Sequence, residues 1–175
     1  MKNIVVALCC MFLMACSSKY PNQDVTNQMF PQVTGESLEK EAKTLPDDYS
    51  GKPVLLLVGY VQDSQFDIDR WLIGLDMTQT RVAAVEVPTI QGMFPRMFST
   101  MIDNGMRRGI PKELWGGVVT VYEDGATVQQ FTGNESPNNA RILLLDKTGK
   151  IVYFYDRGFS VDALNAVRET LATLN

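Results

Sequence analysis

The chain has 175 residues, 45% of them hydrophobic and 21% charged, a length and balance that suit one globular domain and leave little room for two. Sixteen Lys and Arg stand against 20 Asp and Glu, a net charge of −4 that disfavours a nucleic-acid-binding surface. Histidine is absent, which excludes His-based catalytic triads and the common His-containing zinc sites.

Lys2 is the one charge before Lys19, and residues 4–15 form an apolar run too short for the ~20 residues a bilayer span needs, so the start reads as a secretory signal. Leu13-Met14-Ala15-Cys16 resembles the bacterial lipobox, with a branched residue at −3 and a small one at −1 before the cysteine. Met14 is larger than the residue usual at −2. The resemblance implies cleavage between Ala15 and Cys16 and lipid attachment at Cys16. Two or three acyl chains there would anchor the protein permanently, since one chain alone binds only marginally. By its likeness to lipoproteins of Gram-negative bacteria, Ser17 after the acylated residue implies the periplasmic face of the outer membrane. Residues 1–15 are thus a signal peptide, and polar residues 16–29 read as a flexible tether. Cys9, Cys10 and Cys16 all lie in this stretch, so the mature domain would have neither a disulfide nor a free thiol.

Residues 30–175 are expected to form the folded domain. Residues 54–61 are a continuous apolar run, as expected of a central strand buried on both faces. Ser64-Gln65-Phe66-Asp67 reads as a capping box, and Ile68, Trp71, Leu72 and Leu75 recur at helical spacing to about Met77. Residues 81–87 read as a second buried strand, stopped by Pro88. Phe94, Met97, Phe98, Met101 and Ile102 repeat at three and four, predicting a second helix that ends near Asn104-Gly105. Residues 118–122 are a short strand, and residues 123–140 a polar loop. Residues 141–146 and 151–155 form a hairpin about the Lys147-Thr148-Gly149-Lys150 turn. Ser160 is the N-cap of a last helix carrying Leu164, Val167, Leu171 and Leu174 on one face.

The order β-α-β-α-β-β-α, an α/β arrangement with a central mixed sheet flanked by helices, resembles the thioredoxin-like fold. Residues 30–35, Leu45-Pro46 and Gly51-Lys52-Pro53 look like the lead-in of its peroxiredoxin and membrane-anchored thioredoxin branches. Where that family carries its reactive cysteines, between the first central strand and the following helix, this chain has Gln62, Asp63, Ser64 and Gln65. The family's cis-proline position falls at Ala140. The resemblance therefore implies the scaffold without thiol chemistry. A narrower similarity, in residues 109–115, Asn134 and residues 143–151, is to the mitochondrial ATP synthase assembly-factor family, itself thioredoxin-like without a Cys-x-x-Cys.

Other constellations have bland and functional readings. Arg107, Arg108 and Lys112 suit a helix C-terminus, or with Trp115 an anion or acidic-partner site. Met93, Met97, Met101 and Met106 with Phe94 and Phe98 read as a core stripe, or as an adaptable binding surface. Asp63, Asp67, Asp69 and Asp76 read as a solvated helix start, because Gly74 stands where a calcium loop needs its final Glu. Asp63 and Ser64 lack the histidine that would activate a serine nucleophile. The sequence implies no cofactor and no metal. It points to an envelope lipoprotein with a redox-inactive protein-binding, assembly or chaperone domain. The alternatives are an enzyme using Asp63, Arg107, Arg108 and Arg141, or a small-ligand carrier, at the C-terminal edge of the parallel strands.

Overall fold

The computed structural model describes residues 18–92 and 97–174; the expectations for Ala15, Cys16, Ser17, Met93 and Phe94 fall outside them. The element order is β1 Val33–Ser37, β2 Ala42–Leu45, β3 Val54–Gly59, α1 Gln65–Met77, β4 Ala83–Pro88, α2 Ser99–Gly109, β5 Val119–Thr120, α3 Gly125–Thr132, β6 Arg141–Leu145, β7 Ile151–Tyr155 and α4 Val161–Ala172. The main sheet has the order β4-β3-β6-β7, with β3 parallel to β4 and antiparallel to β6.

As expected, β3 is central, and its uninterrupted apolar sequence serves two faces at once. Leu55 and Leu57 point with Ile142 and Leu144 of β6 toward Ile68, Trp71, Leu164 and Val167 of α1 and α4. Leu56 and Val58 point the other way, with Leu143 and Leu145, toward Phe30, Val33, Val119 and Val128. Each fully buried Leu contributes about 1.5–3 kcal/mol, so this strand is a main source of stability. Trp71 is fully buried, edge-on to Phe159 at 5.4 Å. At Gly74 an added Cβ would lie 2.9 Å from a Leu164 methyl, so α1 and α4 meet where α1 has no side chain. The Ser160 cap forms as predicted, its Oγ accepting from the Ala163 N–H at 3.1 Å.

Several expectations are corrected. The lead-in contains a β-hairpin, β1 and β2, which builds a second sheet with β5 in the order β2-β1-β5. Strand β4 starts at Ala83, leaving Arg81 outside it and exposed. Helix α2 continues past Asn104-Gly105 to Gly109, because Gly105 costs a helix interior only about 1 kcal/mol relative to Ala. Within residues 123–140, α3 buries Val128, Gln129 and Thr132. The capping box does not form: the Ser64 hydroxyl donates to the Val61 carbonyl at 2.7 Å. Nor is Asp67 solvated, since it is buried beneath two loops. Residues 20–28, read as tether, lie along the domain: Val25 is fully buried, and the Ile151 N–H donates to the Gln28 carbonyl at 2.9 Å.

Candidate functional site: a closed corner and an open groove

The C-terminal edge of β3 is the first candidate. Just past Gly59 the chain makes a one-turn 3-10 helix over Gln62–Ser64 and enters α1 at Gln65. The turn is tight: a Cβ on Gly59 would sit 2.5 Å from the Ser64 hydroxyl, which is buried. Gln65 donates through Nε2 to Asp69 at 2.9 Å and to Glu86 of β4 at 3.1 Å. Burial raises the Glu86 carboxyl above the usual glutamate range, and the Gln65 bond offsets part of that rise.

Ala140 meets this corner through Asp67. One Asp67 oxygen accepts from the Ala140 N–H at 2.9 Å, the other from the Phe159 N–H at 2.7 Å. The first turn of α1, directly after the turn that resembles the redox site, is thus tied by a carboxylate to Ala140, the position that resembles the cis-proline. Beside it a cleft of about 560 Å³ is lined by Asp63, Phe66, Arg70, Asn138, Asn139 and Arg157.

Arg141 begins β6 under the same edge and is fully buried. Its Nη1 donates to the Ser136 and Asn139 carbonyls at 2.6 and 2.8 Å, its Nη2 to Asn22 Oδ1 at 3.0 Å, and its guanidinium lies 4.7 Å from the Tyr60 ring centre. Burial pushes the Tyr60 phenol up to about 12, against a hydrogen bond to Thr132 and the nearby Arg141 charge that pull it down. At neutral pH this pair is a protonated phenol under a cation that braces the loop, with no proton to exchange.

The second candidate is the groove between α2 and the 3-10 segment Lys112–Gly117, about 750 Å³, lined by Met97, Phe98, Met101, Arg107, Arg108 and Trp115 among others. Here the core-stripe reading is corrected for Met97, Phe98 and Met101, while Met106 is half-buried. Met97 is 70% exposed, Met101 63% and Phe98 50%, and Leu114 of the 3-10 segment is exposed too. Helix α2 instead turns Asp103 inward, where it accepts from the Tyr122 hydroxyl at 2.9 Å. Burial and that carboxylate hold the Tyr122 phenol far above its usual range.

Arg107 is fastened as well as exposed to the groove. It donates through Nε to the Leu38 carbonyl at 2.7 Å and through Nη1 to Asn104 at 2.9 Å, and it lies 6.0 Å from the Trp115 ring centre. Trp115 is half-buried and donates to the Ile110 carbonyl at 2.9 Å. Arg108 and Lys112 are exposed, with no hydrogen-bond or ionic partner among the described residues.

Asp63 therefore lines one cleft, Arg107 and Arg108 another, and Arg141 is buried beneath the edge. Arg70, Phe66 and Arg157, which the sequence reading did not single out, share the cleft with Asp63. Arg157 was recoverable in part, as the first cation after a predicted strand end.

No protein-family model and no curated protein matches the sequence. Solved structures do. A thiol peroxidase from Chromobacterium violaceum superposes with a TM-score of 0.58 at 14% identity, over 89% of this chain and 90% of that one. The thioredoxin domain of a thiol-disulfide oxidoreductase from Bacteroides vulgatus gives 0.55 at 21% identity, over 87% and 100%. BsSco, of the Sco family of cytochrome c oxidase assembly proteins, gives 0.61 at 11% identity, over 88% and 99%. At such identities the likeness is one of architecture, and with the mixed sheet and its flanking helices it makes this a thioredoxin-like fold.

Proposed function

We propose that this protein is an envelope lipoprotein, acylated on Cys16, whose thioredoxin-like domain binds another envelope protein in an assembly or chaperone role without thiol chemistry. The observation that carries the reading is the contrast between the two sites. The corner where the fold elsewhere holds sulfur has Gln62, Asp63, Ser64 and Gln65, and just beyond it Asp67 is tied to Ala140, while the groove at α2 leaves Met97, Phe98 and Met101 uncovered with Arg108. An adaptable apolar strip with a cationic rim suits an amphipathic acidic segment. The BsSco likeness and the resemblance to the ATP synthase assembly-factor family support an assembly role. The lipobox and Ser17 support the periplasmic face of the outer membrane, and the acidic balance argues against nucleic acid.

Crosslinking in intact cells, followed by membrane fractionation and mass spectrometry, tests this. The reading expects one stoichiometric envelope partner and no turnover by the purified protein in disulfide-reduction or peroxidase assays; recovery of the lipoprotein alone, or thiol turnover, contradicts it. A second reading, a small-ligand carrier, draws on Arg70 and Arg157 in the cleft beside Asp63. It expects a metabolite that raises the melting temperature of the native protein and of Arg108→Ala but not of Arg157→Ala.

A further inference from the structure

The expected 14-residue tether would let the domain range some 45 Å from the membrane at ~3.3 Å per residue. The structure shortens it. Asn134, at the end of α3, clasps the incoming chain with three hydrogen bonds: Nδ2 to the Ser18 carbonyl at 2.9 Å, Oδ1 from the Tyr20 N–H at 2.8 Å, and its own N–H to the Tyr20 carbonyl at 2.9 Å.

The next residues hold the same course. Gln23 Nε2 donates to the Phe131 carbonyl at 2.7 Å, and Asn22 Oδ1 accepts from the Glu135 N–H at 2.9 Å and from buried Arg141 at 3.0 Å. Gly133, at φ 79°, has no room for a Cβ because the backbone of Pro21 and Asn22 occupies that space. The segment then follows the β6–β7 hairpin to its turn, where the Phe30 N–H donates to the Gly149 carbonyl at 3.1 Å. The incoming chain therefore arrives at the C-terminal edge of β3 and not at the opposite end.

We infer that the domain is apposed to the bilayer that holds it, with the 134–139 loop and the C-terminal edge of β3 as its membrane-facing surface. This rests on the acylation of Cys16. Ser18 is two residue steps from Cys16 and Tyr20 four, a reach of about 7 and 14 Å even when fully extended. Asn138 is exposed in the same loop as Asn134, which holds the incoming chain, and so lies on this side of the domain. Lys147, exposed in the β6–β7 turn, lies off the other end of β6, on the order of 20 Å farther along the strand direction. The cleft of Phe66, Arg70 and Arg157, which shares Asn138, opens on the membrane-facing side, so whatever enters it comes from the layer next to the lipid.

The acylated full chain suits a direct test, because Cys9 and Cys10 leave with the signal peptide and the acylated Cys16 does not react with a thiol dye. Asn138→Cys and Lys147→Cys are each labelled and placed in phosphatidylethanolamine–phosphatidylglycerol vesicles carrying a headgroup quencher, and the mass of the N-terminal peptide is read on the same sample. The expected result is several-fold stronger quenching at 138 than at 147. A long Gly-Ser insertion after Ser17, which leaves the fold untouched, should remove most of that difference. Equal quenching on an acylated chain, or a difference that survives the insertion, overturns the apposition and leaves the lipoprotein reading standing. An N-terminal peptide without acyl chains overturns both.

Discussion

The corner at Gln62–Gln65 and the groove along α2 are built from opposite choices about what to leave unsatisfied. At the corner most of the polar groups that the fold draws inward are held: Asp67 accepts from Ala140 and Phe159, and both Nη atoms of Arg141 donate to Ser136, Asn139 and Asn22, while its Nε has no partner among the described residues. Along α2 Asp103 and Arg107 are paired, but Arg108 is not, and Met97, Phe98 and Met101 stay in water. The difference separates a region whose sequence serves the fold from one whose sequence costs solubility and returns nothing to this chain alone.

The largest expected effect breaks the first side of that contrast. Asp67→Ala leaves two loop N–H groups without their acceptor, at ~1–3 kcal/mol each, so denaturant unfolding should show a loss of about 2–6 kcal/mol; Asp67→Asn, which keeps one acceptor oxygen, should lose about half of that. On the second side, Phe98→Ala with Met101→Ala should change stability by less than about 0.5 kcal/mol while lowering partner capture at least ~10-fold, about 1.4 kcal/mol of binding. A smaller effect is expected at the rim. Arg108→Ala and Lys112→Ala should weaken capture several-fold at low salt and little at high salt, as rim charges do.

The smallest concerns the charge left under the corner. Burial raises the Glu86 carboxyl, so the native state holds that proton more tightly than the unfolded chain does. Stability should then fall as pH rises from the ordinary glutamate range through the raised native value. Glu86→Gln should flatten that part of the stability–pH curve and be the more stable protein at neutral pH.

The fold was legible where one sequence signal had one structural meaning. The apolar run of β3 could only be a strand covered on both faces, and Ser160 before a 3.6-residue period could only open a helix. Legibility failed where a period is silent about neighbours. The Met and Phe spacing of α2 marks an apolar face correctly, but nothing in it tells whether another element covers that face. Ser64 and Asp67 have capping-box spacing, yet the carboxylate is taken by loops more than 70 residues away. Residues 20–28 read as tether because, Val25 apart, they dock through amides and backbone groups, which leave no apolar pattern. The site was legible as a place, the strand-to-helix turn facing Ala140, but not as a division between one closed region and one open region.

The most direct test of that division is photocrosslinking in living cells from a probe at Met101 and, separately, from one at Asp63, with Cys16 native in both. The account predicts that the Met101 probe yields one dominant envelope protein and the Asp63 probe yields far less of it. A partner captured from Asp63 and not from Met101 would contradict it, and so would the absence of any crosslinked protein from either position.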